Sequence, residues 1–138
     1  MNKSDLKLHF KWHGIKRIPA EDGFRTIPKA DLYIDCRAIA EAGVPGWSGK
    51  CPEFQADIKE KSKASLFCIQ ELIIDSLRHV SSRRGGLDPY KEPYVVMFLC
   101  AWGVHRSVAT CNVIAERMKA FGYNVTIVES TPVEGFKR

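Results

Sequence analysis

The sequence predicts an α/β fold: one domain over residues 1–138, with a mainly parallel sheet of about four strands and flanking helices. Three observations lead there. Residues 94–100 (YVVMFLC) form an apolar run without alternation, which fits a strand covered on both faces, as in parallel sheets. After a short loop comes a helical pattern, with Val108, Cys111, Ala115, Met118 and Phe121 at helical spacing and Gly122 behind them as a stop. A longer amphipathic stretch, residues 64–82, lies between two strand-like segments, where a parallel pair needs its crossover.

In chain order, residues 6–12 alternate cleanly. Leu6, Leu8, Phe10 and Trp12 share one face, and Lys7, His9 and Lys11 share the other, which predicts a half-buried strand near a sheet edge. Residues 13–28 carry turn signals throughout. Residues 31–37 (DLYIDCR) read as the second strand. The glycine- and proline-rich stretch 38–52 is long for a strand-to-helix connection, and Trp47 and Lys50 there are candidates to cover a ligand. Residues 53–63 are charged and weakly helical, and Ser62 is placed to cap the helix that follows. That helix has an apolar stripe of Leu66, Phe67, Ile69, Leu72, Ile73, Leu77 and Val80. It ends at Gly85-Gly86, and residues 85–93 form a turn. Residues 124–129 are the last strand.

Composition narrows the function classes. A chain of 138 residues that is 45% apolar builds a core of its own, and no apolar run reaches membrane-spanning length. The five cysteines are scattered, with no CxxC pair, which points to reduced thiols in a cytoplasmic protein and to no metal site. No cofactor motif occurs. The net charge of +5 favours anionic partners: a phosphorylated small molecule or RNA. Lys11, Arg83, Arg84, Lys137 and Arg138 are the candidates for an RNA-binding face. A protein partner or a homo-oligomer is compatible with the sequence.

The loop after the 94–100 strand carries the chemistry. A buried strand, a tight loop and a helix in that order aim backbone N–H groups and the positive end of a helix dipole at one point, where an anion fits. Ser107 is placed to cap the helix, Arg106 to hold two phosphate oxygens, and Gly103 to permit a left-handed turn in the loop. The expected phosphate-binding set is Cys100, Trp102, Gly103, Val104, His105, Arg106 and Ser107. Cys100, beside Arg106, His105 and a helix start, is placed to be held as a thiolate, whereas Cys68 and Cys111 fall on apolar helix faces. If the 31–37 strand runs parallel to the 94–100 strand, Asp35 and Arg37 reach the same carboxyl edge and join the site; pairing with each other is the competing expectation.

Two resemblances rest on these residues. IDCRAI followed by CAWGVHRSVATCNVIAERM resembles the C-terminal domain of RapZ, the bacterial RNase adapter family, over roughly residues 32–129. Asp35, Arg37, Cys100, Gly103, His105, Arg106 and Ser107 match that family's motifs, whereas Trp102 replaces a glycine and Val104 a lysine. The resemblance implies a regulatory module that binds an amino-sugar phosphate, RNA or both. The same loop is similar to the C-x-x-G-x-x-R-[ST] signature of cysteine-dependent phosphatases, through Cys100, Gly103, Arg106 and Ser107. That similarity implies the alternative, a phosphatase with Cys100 as nucleophile and Arg106 holding the transferring oxygens. Such an enzyme needs a general acid, and the sequence places none: Asp88 precedes the 94–100 strand and so falls at the opposite edge of the sheet, and Asp35, at the right edge, has Arg37 as a competing partner. A third reading is an accessory protein that keeps the fold with no ligand.

Overall fold

The computed structural model describes residues 3–14, 29–39, 49–81, 93–100 and 106–128. Four strands form one sheet: β1 (Lys7–Gly14), β2 (Leu32–Asp35), β3 (Tyr94–Cys100) and β4 (Asn124–Ile127). Their order across the sheet is β2-β3-β1-β4, and every pairing is parallel. Helices α1 (Pro52–Lys61) and α2 (Lys63–Ser81) lie between β2 and β3 in sequence, and α3 (Arg106–Ala120) between β3 and β4. The expected α/β architecture is therefore present. No helix among the described residues is long and apolar enough to cross a membrane.

β1 alternates as the sequence requires, with Leu8, Phe10, Trp12 and Gly14 buried and His9, Lys11 and His13 half-buried. It does not lie near an edge. It is interior, paired with β3 on one side and β4 on the other. Alternation reports what covers each face of a strand, not how many neighbours bond to its backbone, so it carries no information on that point. β3 is buried at six of its seven positions. Its register sets Tyr94, Val96 and Phe98 beside Leu8, Phe10 and Trp12, and the Phe10 and Phe98 rings pack 5.2 Å apart. These side chains form one cluster with Phe54 and Ile58 of α1, Leu66, Ile73 and Leu77 of α2, and Val108, Cys111, Ile114 and Met118 of α3. Met97 and Leu99, which point to the other face, are buried outside that cluster.

α1 starts with proline at its first turn, where a missing N–H costs nothing. Ser62 joins α1 to α2: its N–H bonds to Ile58 O, and its carbonyl accepts Leu66 N–H. The buried stripe of α2 is narrower than expected. Leu66, Gln70, Ile73 and Leu77 face inward, while Phe67, Leu72 and Cys68 are exposed. Phe67 and Leu72 lie on opposite flanks of the stripe, more than half exposed. α3 closes as read from the sequence. Gly122 takes φ +94, and Tyr123 N–H returns to Met118 O at 3.0 Å, a left-handed C-terminal turn that favours glycine.

Candidate functional site

Parallel pairing brings three strand ends to one edge. Asp35 stands beside Leu99, and Gly14 beside Cys100, so the ends of β2, β3 and β1 lie next to one another. The adjacent ends of β1 and β3 are also where the chain departs in opposite directions, to β2 from one and to β4 from the other. In open parallel sheets, ligands bind at the carboxyl edge at such a switch point. The contribution of β1 was not legible in the sequence, because nothing in residues 7–14 names its neighbours.

On β3, Cys100 is 3% exposed, and its Sγ lies 3.0 Å from Ser107 Oγ. Ser107 was expected as a cap preceding the helix. It instead lies inside the first turn of α3, fully buried, and its hydroxyl pairs with the thiol. Arg106, half-buried, opens the helix and donates from Nη1 to the backbone carbonyl of Arg37 at 2.6 Å. That bond uses one guanidinium N–H, and among the described residues the others are given to no acceptor. The guanidinium thus bridges the end of β2 and the start of α3.

At the end of β2, Asp35 and Arg37 lie at the carboxyl edge of the sheet, and they are paired with each other, which was the competing expectation. Asp35 caps a short 3-10 turn, Cys36–Ala38, and accepts Arg37 N–H at 3.0 Å. Its carboxylate also takes Arg37 Nε at 3.0 and 3.2 Å and Nη2 at 2.7 Å. The Arg37 guanidinium holds the Asp35 carboxyl below its ordinary value of 3.8, partial burial opposes this, and the Arg106 charge adds a smaller push downward. Asp35 is consequently ionised at neutral pH and is unsuited to donate a proton as a general acid.

Behind the edge, Cys36 is fully buried with Sγ 3.8 Å from Ile34 O, and Thr110 Oγ1 of α3 is buried with no partner at hydrogen-bond geometry among the described residues. Burial pushes the Cys36 thiol far above its ordinary value of 9.0, and the nearby Thr110 hydroxyl only partly opposes it. Cys111 is raised by burial too. Lys50 reaches back over the Trp12 ring, with Nζ 5.7 Å from its centroid. Of the RNA-binding candidates, Lys11 is half-buried on the face of β1 away from the main core. Arg83, Arg84, Lys137 and Arg138 lie outside the described residues, as do Trp47, Asp88, Trp102, Gly103, Val104 and His105. Among the described residues no cluster of His, Cys, Asp and Glu is arranged to hold a metal ion. No family model matches the chain, and no curated protein matches it.

Proposed function

We propose that the carboxyl edge binds the phosphate group of a small phosphorylated ligand, and that the protein acts as a regulatory module without turning the ligand over. The observation that carries this reading is Arg106: its guanidinium sits at the start of α3 and is bonded to Arg37 O at 2.6 Å. Its positive charge adds to the helix dipole, and guanidinium donors fit phosphate oxygens in pairs. Asp35 and Arg37 neutralise each other, so among the described residues at the ends of β2 and β3 and the start of α3 the net charge is that of Arg106. One net charge suits a single phosphoryl group, such as that of an amino-sugar phosphate, which the resemblance to the RapZ domain also implies. RNA is a further candidate ligand of this module, and its binding should weaken steeply with added salt.

The Cys100–Ser107 contact favours the alternative reading, since a hydroxyl 3.0 Å from a thiol is suited to stabilise its thiolate. The ionised state of Asp35 counts against it.

One experiment separates the two. With an amino-sugar phosphate at a hundredfold excess over its dissociation constant, a binding module gains about 2.7 kcal/mol of stability, and Arg106→Ala removes the gain. The module releases no nitrophenolate from p-nitrophenyl phosphate. Turnover abolished by Cys100→Ser would establish the phosphatase instead. No thermal shift with any phosphorylated sugar would leave the proposal without support.

A further inference from the structure

Resting on the anion-site reading above, we infer that Asp35 is a positioning residue that sets Arg106 for its ligand without touching that ligand. The chain of contacts is short and continuous. The Asp35 carboxylate grips Arg37 at three nitrogens, its backbone N, Nε and Nη2, over 2.7–3.2 Å. This fixes the 3-10 turn that begins directly after β2. The carbonyl of that same Arg37 receives Arg106 Nη1. Register completes the geometry: Asp35 stands beside Leu99, one residue before Cys100, so the turn lies against the strand end from which the loop departs.

The arrangement explains why a carboxylate stands next to an anion site. A bare negative charge there would repel phosphate. Both Asp35 oxygens are instead occupied by Arg37, whose charge cancels theirs, and what passes on to Arg106 is a fixed carbonyl. A guanidinium anchored at one nitrogen loses less freedom when it closes on a ligand, which raises affinity without any added contact.

The test turns on sign. Inorganic phosphate is titrated calorimetrically into the wild-type protein, Asp35→Asn and Asp35→Glu. If Asp35 acts only as a nearby charge, Asp35→Asn binds phosphate more tightly, and Asp35→Glu behaves as wild type. A positioning role reverses both outcomes: each variant weakens binding, by about tenfold, the scale on which residues that orient a ligating group act. Thermal midpoints close to wild type show that the fold is kept.

A second measurement needs no ligand. Rotation about the Arg106 Cζ–Nη1 bond, followed by nitrogen-detected exchange, is slow in the free wild-type protein and faster in Asp35→Asn. Unchanged rotation, or unchanged or tighter phosphate binding in Asp35→Asn, overturns the inference. If wild type binds no phosphate, the anion-site reading falls, and the rotation measurement still decides the role of Asp35.

Discussion

The ends of β2 and β3 lie side by side and are built in opposite ways. β2 is a four-residue edge strand that finishes in an exposed ionic turn, with Asp35 and Arg37 each more than half exposed. β3 is a seven-residue interior strand that finishes in a buried thiol–hydroxyl contact. Their position in the sheet explains the contrast. An interior strand is bonded on both sides and covered on both faces, so its end is held by packing. An edge strand has one neighbour, and its end must be held by its own side chains. β3 thus supplies a rigid floor, β2 a charged wall, and Arg106 spans the two.

The largest expected difference between them is in stability. Phe98 is fully buried, stands in register with Trp12 and Ile34, and packs on the Phe10 ring. Phe98→Ala should cost about 3–5 kcal/mol, the range for truncating a buried phenylalanine. Tyr33, one position before Ile34 on β2, is 44% exposed, and its hydroxyl accepts Ala30 N–H. Tyr33→Ala should cost less, under about 1.5 kcal/mol, because nearly half of the residue is already exposed. Urea titration of both variants measures the pair. Equal losses would show that β2 is as firmly held as β3, and the floor-and-wall contrast would not stand.

The same contrast governs how much was legible in the sequence. The unbroken apolar run in residues 94–100 announces an interior strand, because burial on both faces writes itself into every position. The stop at Gly122 was legible as well, since a left-handed turn selects glycine. Strand order was not. β1 looked like an edge strand because His9, Lys11 and His13 alternate with the core residues, yet its backbone is bonded on both sides. At the site, the residue types at 35, 37, 100, 106 and 107 pointed to one edge, and the parallel register places the ends of β2 and β3 there. What the sequence did not carry was the wiring. That Arg106 bonds to a backbone carbonyl, and that Ser107 turns inward to Cys100, depends on how two strand ends meet.

A smaller, pH-dependent effect probes the ground behind the edge. Burial raises the Cys36 and Cys111 thiols above their ordinary value of 9.0 in the folded protein. A raised folded-state value means that the stabilising contribution is complete below pH 9.0 and is lost above it, where only the unfolded chain releases the proton. Each thiol should steepen the alkaline loss by about 1.4 kcal/mol per pH unit. Cys36→Ala, unfolded in urea between pH 8 and 10.5 with a reductant present, should show a slope shallower by that amount. An unchanged slope would mean that Cys36 is solvated and that the end of β2 is open to water on its inner side.

The smallest effect belongs to the wall itself and lies on the acid side. Arg37 depresses the Asp35 carboxyl, so its contribution to stability is present above the unfolded-chain value near 3.8 and is lost as the pH falls through the lower folded-state value. Because the carboxylate is 53% exposed, solvent and salt screen the interaction, and Asp35→Asn should change stability at neutral pH by well under about 1 kcal/mol. The variant should still flatten the acid limb, most visibly below pH 4 and at low salt. That outcome gives the contrast between the two strand ends its sharpest form, because a residue that contributes little to folding would then govern how Arg106 is held. If Asp35→Asn instead destabilised the protein as much as Phe98→Ala, the ionic turn would be part of what holds the sheet together. Its weakened phosphate binding would then say nothing specific about Arg106.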